Sequence, residues 1–452
     1  MRRVLLLYRH PPGTAMRPAI LAHLKALERA AAGTDVRVEY HNAFDESPSL
    51  ALRRTEPDAV VLHTTFLCMR WSDHFPLFHW AYRWLADLPC RKLAIPQDEY
   101  DHAEILDEWL EALGATDVFT NFDERRRELI YPRLSRSAVR FHEVLTGYID
   151  EGMATYAATR VRPPAERPLD VVYRASNLPY WFGAHGQLKH GIAEVVEQHA
   201  RRKGLRTDIS TSYDDVLYGD AWTDFLLSGR TVIGAESGSS ALDRRGEVQA
   251  AFRALLAAEP GLTFEEASAR LPPGWDGNDL GAISPRHFEA VVTRTCQVLV
   301  EGTYSGVLEA DRHYLPLRRD FGNVDEVLDR IRDDDVLSEL TERAYEEVYL
   351  SGRYTYDAFG ALLLETLEGA RSPRVTRRAV APVLVAAAPH VDRAARGVRA
   401  AATGAMASTR GGTAGLPGAL RLPARALRRI RLARLPAPVA RRAGGTVAAG
   451  AE

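Results

Sequence analysis

The sequence predicts an α/β protein of two Rossmann-like units, followed by a basic low-complexity tail. Three observations carry this expectation. Short apolar runs alternate with amphipathic segments from the first residues to about residue 147, and the alternation starts again at Asp170. From Arg371 the composition changes to alanine, arginine, glycine and proline. Strands that alternate with helices imply parallel βα units wound into a sheet, and 452 residues suffice for two such cores.

In the first unit, strands are expected at residues 4–8, 36–40, 59–63, 93–96, 118–121 and 139–145. The helices between them fall at 18–31, 75–86, 104–113 and 124–134. Ligands of such sheets sit beyond the carboxyl ends of the strands. Those positions are polar here: Arg9 and His10, then 63–65, 97–102 and 121–123. The run IPQDEYDH brings several acid–base groups to one strand end, so Asp98, Glu99 and His63 are the candidates for proton transfer or acceptor positioning. The plainer reading of Asp98 is a cap on the next helix.

A linker is expected over 153–168, where Pro163, Pro164 and Pro168 stand among arginines. In the second unit the strand at 170–176 leads to a helix at 187–201 with Leu188, Ile192, Val195 and Val196 on one face. A strand at 206–210, a helix at 222–227 and a strand at 231–235 follow. The polar loop Glu236, Ser237, Gly238, Ser239 then offers groups that can bond a base, a ribose or a sugar. A helical insertion occupies 249–271.

Ser284 and Pro285 read as the N-cap and first residue of a further helix, whose free N–H groups attract phosphate. Arg286 lies beside that positive end, and Glu289 one turn on can accept bonds from a pair of sugar hydroxyls. A strand at 296–300 and a glycine- and hydroxyl-rich loop at 301–306 complete this stretch. Asn323 and Glu326 suggest a capping box on the next helix, and helical sequence continues to about Gly369.

The runs RHFEA, VLVEGTYSG and HYLPLRRDFGNVDEVL resemble the C-terminal half of bacterial group 1 glycosyltransferases, in particular the spore-maturation-protein-like branch. The QDEY run is similar to one in the same branch. The resemblance implies a GT-B architecture, two Rossmann-like domains facing a cleft: an acceptor domain over 1–152, a nucleotide-sugar donor domain over 169–370, and a tail over 371–452. It assigns ribose binding to Glu289, with Arg286 and His287 as neighbours, and a diphosphate clamp to Arg174 and Lys189. Two cations at a diphosphate take the part a divalent metal plays elsewhere, so no metal or other cofactor is expected. The resemblance also implies that the last helix, in GRYTYDAFGALLLETL, crosses back to brace the first domain. The chain departs from the pattern at three places. Relatives with a two-glutamate signature carry a glutamate where Gly281 stands here, Tyr173 replaces a usual glycine, and an aromatic insertion precedes Lys189.

The function expected is transfer of a sugar from a nucleotide-diphosphate donor to a glycan, lipid-linked or small-molecule acceptor in cell-surface polysaccharide or glycoconjugate synthesis. The alternatives are a sugar-nucleotide epimerase or hydrolase on the same scaffold, or a non-catalytic binding protein. The tail holds 16 arginines and two acids, net +14; with −2 for the whole chain, residues 1–370 carry −16. So acidic a body excludes nucleic acid as its partner. The tail is expected to be mostly disordered, and its segment LPGALRLPARALRRIRLARL is the candidate for peripheral contact with anionic lipid. Cys68, Cys90 and Cys296 have no paired spacing, and the N-terminus enters a strand without an apolar leader. A cytoplasmic protein, at most touching the inner membrane face, is expected. HExxH, GxSxG, EF-hand and zinc-type spacings are absent from the sequence, and the DxD formed by Asp333 and Asp335 reads as a solvated helix face.

Overall fold

The computed structural model describes residues 2–44 and 48–369. The basic tail, with the expectations of disorder and membrane contact attached to it, lies outside the described residues. The first half supplies strands β1 (Arg2–Tyr8), β2 (Val36–Asn42), β3 (Ala59–Leu62), β4 (Arg91–Ala94), β5 (Asp117–Thr120) and β6 (Arg140–Glu143). They form one parallel sheet in the order β2-β1-β3-β4-β5-β6. The pleat sends alternate residues of β1 to opposite faces: Leu5 and Leu7 join one core, Val4 and Leu6 the other.

The second half supplies β7 (Leu169–Arg174), β8 (Thr207–Ser210), β9 (Gly229–Gly234), β10 (Ser237–Ser239), β11 (Leu280–Ala282), β12 (Cys296–Val300) and β13 (Leu315–Leu317). Five of them make a second parallel sheet, ordered β13-β12-β9-β7-β8. The chain reverses direction across the sheet between β7 and β9, and ligands of doubly wound sheets enter at such a point. The architecture is therefore the pair of Rossmann-like sheets expected from the sequence. The loop read at 236–239 is instead β10, paired antiparallel with β11.

The C-terminal helix, Tyr356–Glu368, does cross back to the first half. Its Tyr356, Phe359, Leu363 and Leu367 share a core with Leu24 and Leu27 of the helix Pro18–Ala30. Gly360 makes this approach possible, because a Cβ there would sit inside contact distance of the Ala26 carbonyl. The start of the expected linker is also regular. Asp150 Oδ1 accepts from the N–H groups of Gly152 at 2.8 Å and Met153 at 3.1 Å, which opens the helix Glu151–Ala158.

Some cap expectations fail for local reasons. Asn323 makes no cap, since its Oδ1 accepts from Arg318 N at 2.9 Å and its Nδ2 donates to the Pro316 carbonyl at 3.1 Å. Ser284 makes no side-chain cap, although Pro285 is the first helical residue as expected. The insertion is two helices, Glu247–Ala258 and Phe264–Ser268, the second opened by a capping box of Thr263 and Glu266.

One seam joins the halves through main chain. Asp243 N donates to the Tyr100 carbonyl at 2.9 Å, while Ala103 N and Glu104 N each donate at 3.0 Å, to the Asp243 and Arg244 carbonyls. Ion pairs flank it, Arg245 with Glu104 at 2.7 Å and Arg126 with Asp279 at 2.5 Å. None of the helices among the described residues is long and apolar enough to cross a membrane.

Candidate functional site

A cavity of about 640 Å³ opens at the carboxyl ends of β7 and β9, the reversal point of the second sheet. Arg17, Tyr148, Asp150 and Tyr356 reach it from the first half and its bracing helix. From the second half come Arg174, Lys189, Ser237, Arg286, His287 and Glu289, so six of the residues expected at the site share one wall.

Lys189 lies on the helix Gly183–Arg202, which begins four residues before its expected start. Side chains distant in sequence make that possible: Asp276 Oδ2 accepts from Ala184 N at 2.8 Å, and Ser240 Oγ from His185 N at 2.9 Å. The first-turn N–H groups are thus occupied, and Lys189 sits in the second turn rather than opening the helix. Its ammonium has no hydrogen-bond or ion-pair partner among the described residues. Burial and the neighbouring Arg286 charge lower its pKa to about 8, while the charge of Asp98 opposes them.

Arg286 is exposed and has no carboxylate partner among the described residues. One of its N–H groups donates to the Arg174 carbonyl, and its guanidinium lies 5.5 Å from the centre of the Trp222 ring. Arg174 itself is turned back on its own sheet. Its guanidinium pairs with Asp208 at 2.7 Å, donates to the Tyr173 carbonyl at 2.9 Å and packs 4.4 Å from the Phe225 ring centre. Lys189 and Arg286 therefore stand in this wall without a carboxylate partner among the described residues, whereas Arg174 is paired.

Glu289 Oε2 accepts the indole N–H of Trp222 at 2.8 Å, and its other oxygen has no partner among the described residues. Burial raises its pKa; the Trp222 bond and the Arg286 charge oppose that. His287 is buried, with Nδ1 3.0 Å from Gln297 Oε1 and Nε2 turned toward the Ala235 carbonyl without closing a bond. Burial lowers its pKa to about 4, so at neutral pH it is an uncharged ring in the cavity wall.

Glu236 and Ser239 face inward. Glu236 Oε1 accepts from Thr303 N and Thr303 Oγ1 at 3.0 Å and from Tyr304 N at 2.6 Å, tying the β9 end to the loop after β12. Its Oε2 would stand 2.7 Å from a Cβ at position 281. A side chain at position 281 would thus meet the Glu236 carboxylate, which would have to shift. Ser239 Oγ bonds the Phe182 carbonyl at 3.0 Å and the Ala241 carbonyl at 2.9 Å. Gly238 pairs with Gly281 across β10 and β11.

Of the three acid–base candidates, only Asp98 is exposed. It is exposed at φ +47°, accepts the Tyr100 hydroxyl at 2.9 Å, and its charge is felt at Lys189. Glu99 has no exposed surface. Its carboxylate takes Asn121 N at 2.7 Å, Thr120 Oγ1 at 2.6 Å and the Tyr131 hydroxyl. Burial raises its pKa to about 7. His63 is 1% exposed, with Nε2 2.9 Å from His23 Nδ1. Because His63 Nδ1 accepts Thr65 N–H, its proton stands on Nε2 and is donated to His23. None of Asp98, Glu99 and His63 lines the cavity.

No family model matches the chain, and no curated protein matches it. Among solved structures, an α-glucosyltransferase in complex with UDP-glucose and DNA containing an abasic site is similar at 10% identity and a TM-score of 0.48, over 81% of this chain and 99% of that one. Anabaena HepE in complex with UDP-glucose is similar at 11% identity and a TM-score of 0.45, over 82% and 100% of the two chains. The α,α-trehalose 6-phosphate synthase of Burkholderia multivorans is similar at 11% identity and a TM-score of 0.43, over 81% and 96%. None of the three carries a function over to this chain.

Three residues that shape the site escaped the sequence reading. Arg70 holds the 97–101 turn by donating to the carbonyls of Gln97, Asp98 and Asp101 at 2.9, 2.8 and 3.0 Å. The available signal was a lone arginine inside the apolar run FLCMRW. Asp150 reaches the cavity from the helix it caps, and its place directly before EGM was the signal. Trp222 was read only as part of a helix.

Proposed function

We propose that the protein is a glycosyltransferase of GT-B type that uses a nucleotide-diphosphate sugar, in the spore-maturation-protein-like branch of group 1. The observation that carries the reading is the pair Lys189 and Arg286. Two cations face one cavity without a carboxylate partner among the described residues, at the reversal point of a doubly wound sheet. Like charges held together and unpaired are costly, and a bound diphosphate relieves both. Glu289 lies one turn beyond Arg286 and offers a carboxylate oxygen to the ribose hydroxyls.

In the reaction, the bond from the sugar C1 to the β-phosphate oxygen breaks, an acceptor hydroxyl oxygen bonds to C1, and its proton passes to the departing phosphate. Lys189 and Arg286 would take up the charge left on the departing nucleotide, the part a metal ion plays in other transferases. Arg174 would act through its carbonyl, which holds Arg286 in place. Asp98, exposed and with its charge felt at Lys189, would position the acceptor hydroxyl. A glycan, lipid-linked or small-molecule acceptor would enter from the first half, and a role in cell-surface polysaccharide or glycoconjugate synthesis follows from that branch.

The test is a thermal-shift screen with UDP, GDP, ADP, CDP and dTDP, with and without EDTA, on wild type, Lys189→Met and Arg286→Ala. UDP heads the panel because the α-glucosyltransferase and HepE structures are described as UDP-glucose complexes. A nucleotide at a hundred times its Kd stabilises by about 2.7 kcal/mol. A shift that survives EDTA and is lost in both variants supports the reading. No shift with any nucleotide would sink it.

A further inference from the structure

Trp222 has one donor and gives it to a carboxylate on the cavity wall. It stands on the helix Asp220–Ser228, its ring stacked on Phe225 with centroids 5.8 Å apart at 29°. From that platform its N–H reaches Glu289 Oε2 at 2.8 Å, and Arg286 lies 5.5 Å from the ring centre. Trp222, Arg286 and Glu289 all line the cavity. One indole thus touches both groups that the donor-site reading assigns to the nucleotide.

We infer that Trp222 is a positioning residue for nucleoside recognition: its N–H aims the Glu289 carboxylate at the vicinal diol of a ribonucleoside diphosphate, while its ring seats Arg286 on the phosphate side. This rests on the donor-site reading above. The stack on Phe225 fixes the direction of the N–H, and a bond to Oε2 leaves Oε1 and the spare lone pairs for two hydroxyls. An ionised carboxylate only accepts, whereas a protonated one gives up an acceptor site, so the same bond also governs charge. The charged and titratable groups facing Glu289 are Arg286 on its own helix, Asp150 on the helix before β7 and Tyr356 on the bracing helix. Burial and Asp150 favour the neutral acid; Trp222 and Arg286 favour the anion.

The experiment is calorimetric titration of wild type, Trp222→Phe, Glu289→Gln and the double variant. The ligands are inorganic pyrophosphate, whichever of UDP, GDP, ADP and CDP wild type binds most tightly, and the 2′,3′-dideoxy form of that nucleotide. Phenylalanine keeps the stack and removes the N–H. Trp222→Phe is expected to weaken the ribonucleotide about tenfold, the worth of one hydrogen bond to a charged group, and to leave pyrophosphate and the dideoxy nucleotide within about twofold. The loss should grow as the pH falls from 7.5 to 5.5, and Trp222→Phe should add nothing to Glu289→Gln. Equal weakening of pyrophosphate and ribonucleotide would mean a structural role and overturn the inference. So would an unchanged ribonucleotide affinity in a wild type that binds pyrophosphate. A wild type that binds neither pyrophosphate nor any nucleotide overturns the donor-site reading, and this inference with it.

Discussion

Lowering the pH from 7 to 5 should weaken the grip of the C-terminal helix on the first half through His23. The ring of His23 is 6% exposed, lies 4.7 Å from that of Phe359 on the bracing helix, and takes its hydrogen bond from His63. Burial lowers its pKa from 6.5 to about 4. The unfolded chain therefore binds a proton first as the pH falls. The stability that neutral His23 confers is complete above about 6.5 and is lost progressively toward 4. With those two values the loss between pH 7 and pH 5 is ~2 kcal/mol. His63 adds to it in the same direction, lowered by burial and by His23. Urea unfolding at the two pH values, with deuterium uptake of the peptide covering 356–368, reads both the size and the place of the effect. His23→Gln retains an acceptor for the His63 N–H and removes the titrating ring, so its pH-dependent loss should be smaller by ~2 kcal/mol. Equal losses in wild type and variant would refute the assignment of a neutral, buried His23.

Three further outcomes follow from particular contacts. Gly360→Ala puts a methyl against the Ala26 carbonyl and should destabilise by ~1–3 kcal/mol, read as a lower urea midpoint with unchanged slope. Gly281→Ala should destabilise by a similar ~1–3 kcal/mol because its Cβ meets Glu236 Oε2. The same substitution in a Glu236→Ala background should lose most of that effect, and additive losses would show that the two positions do not share the space. Lys189 must be protonated to hold a phosphate and has a pKa of about 8. Pyrophosphate affinity in the wild type should therefore fall as the pH rises from 7 to 9, and Lys189→Met should be weak at both ends.

The sheets were legible because the central strands, such as β3 and β12, are short apolar runs buried on both faces, and the parallel order follows from the helices between them. The site was legible where neighbours in sequence act together: Arg286 and Glu289 are one turn apart on a helix that Pro285 starts. It was not legible where partners come from afar. Glu99 looked like an acid–base group, and only Thr120, Asn121 and Tyr131 around it show that its lone pairs are taken. The helix carrying Lys189 starts early because Asp276 and Ser240 supply its caps, and nothing between 183 and 187 announces that. Arg174 stood at the expected place after its strand, but Asp208 on the next strand draws its guanidinium away from the cavity.

The bonds between residues 100–104 and 243–244 give the protein a spine. Main-chain bonds cannot stretch by ångströms, so residues 100–104 and 243–244 stay in register with one another. At another point of contact between the halves, the Arg17 guanidinium lies 5.9 Å from the centre of the exposed Tyr218 ring. Arg17 and Tyr218 both line the cavity, so this contact sits on its rim.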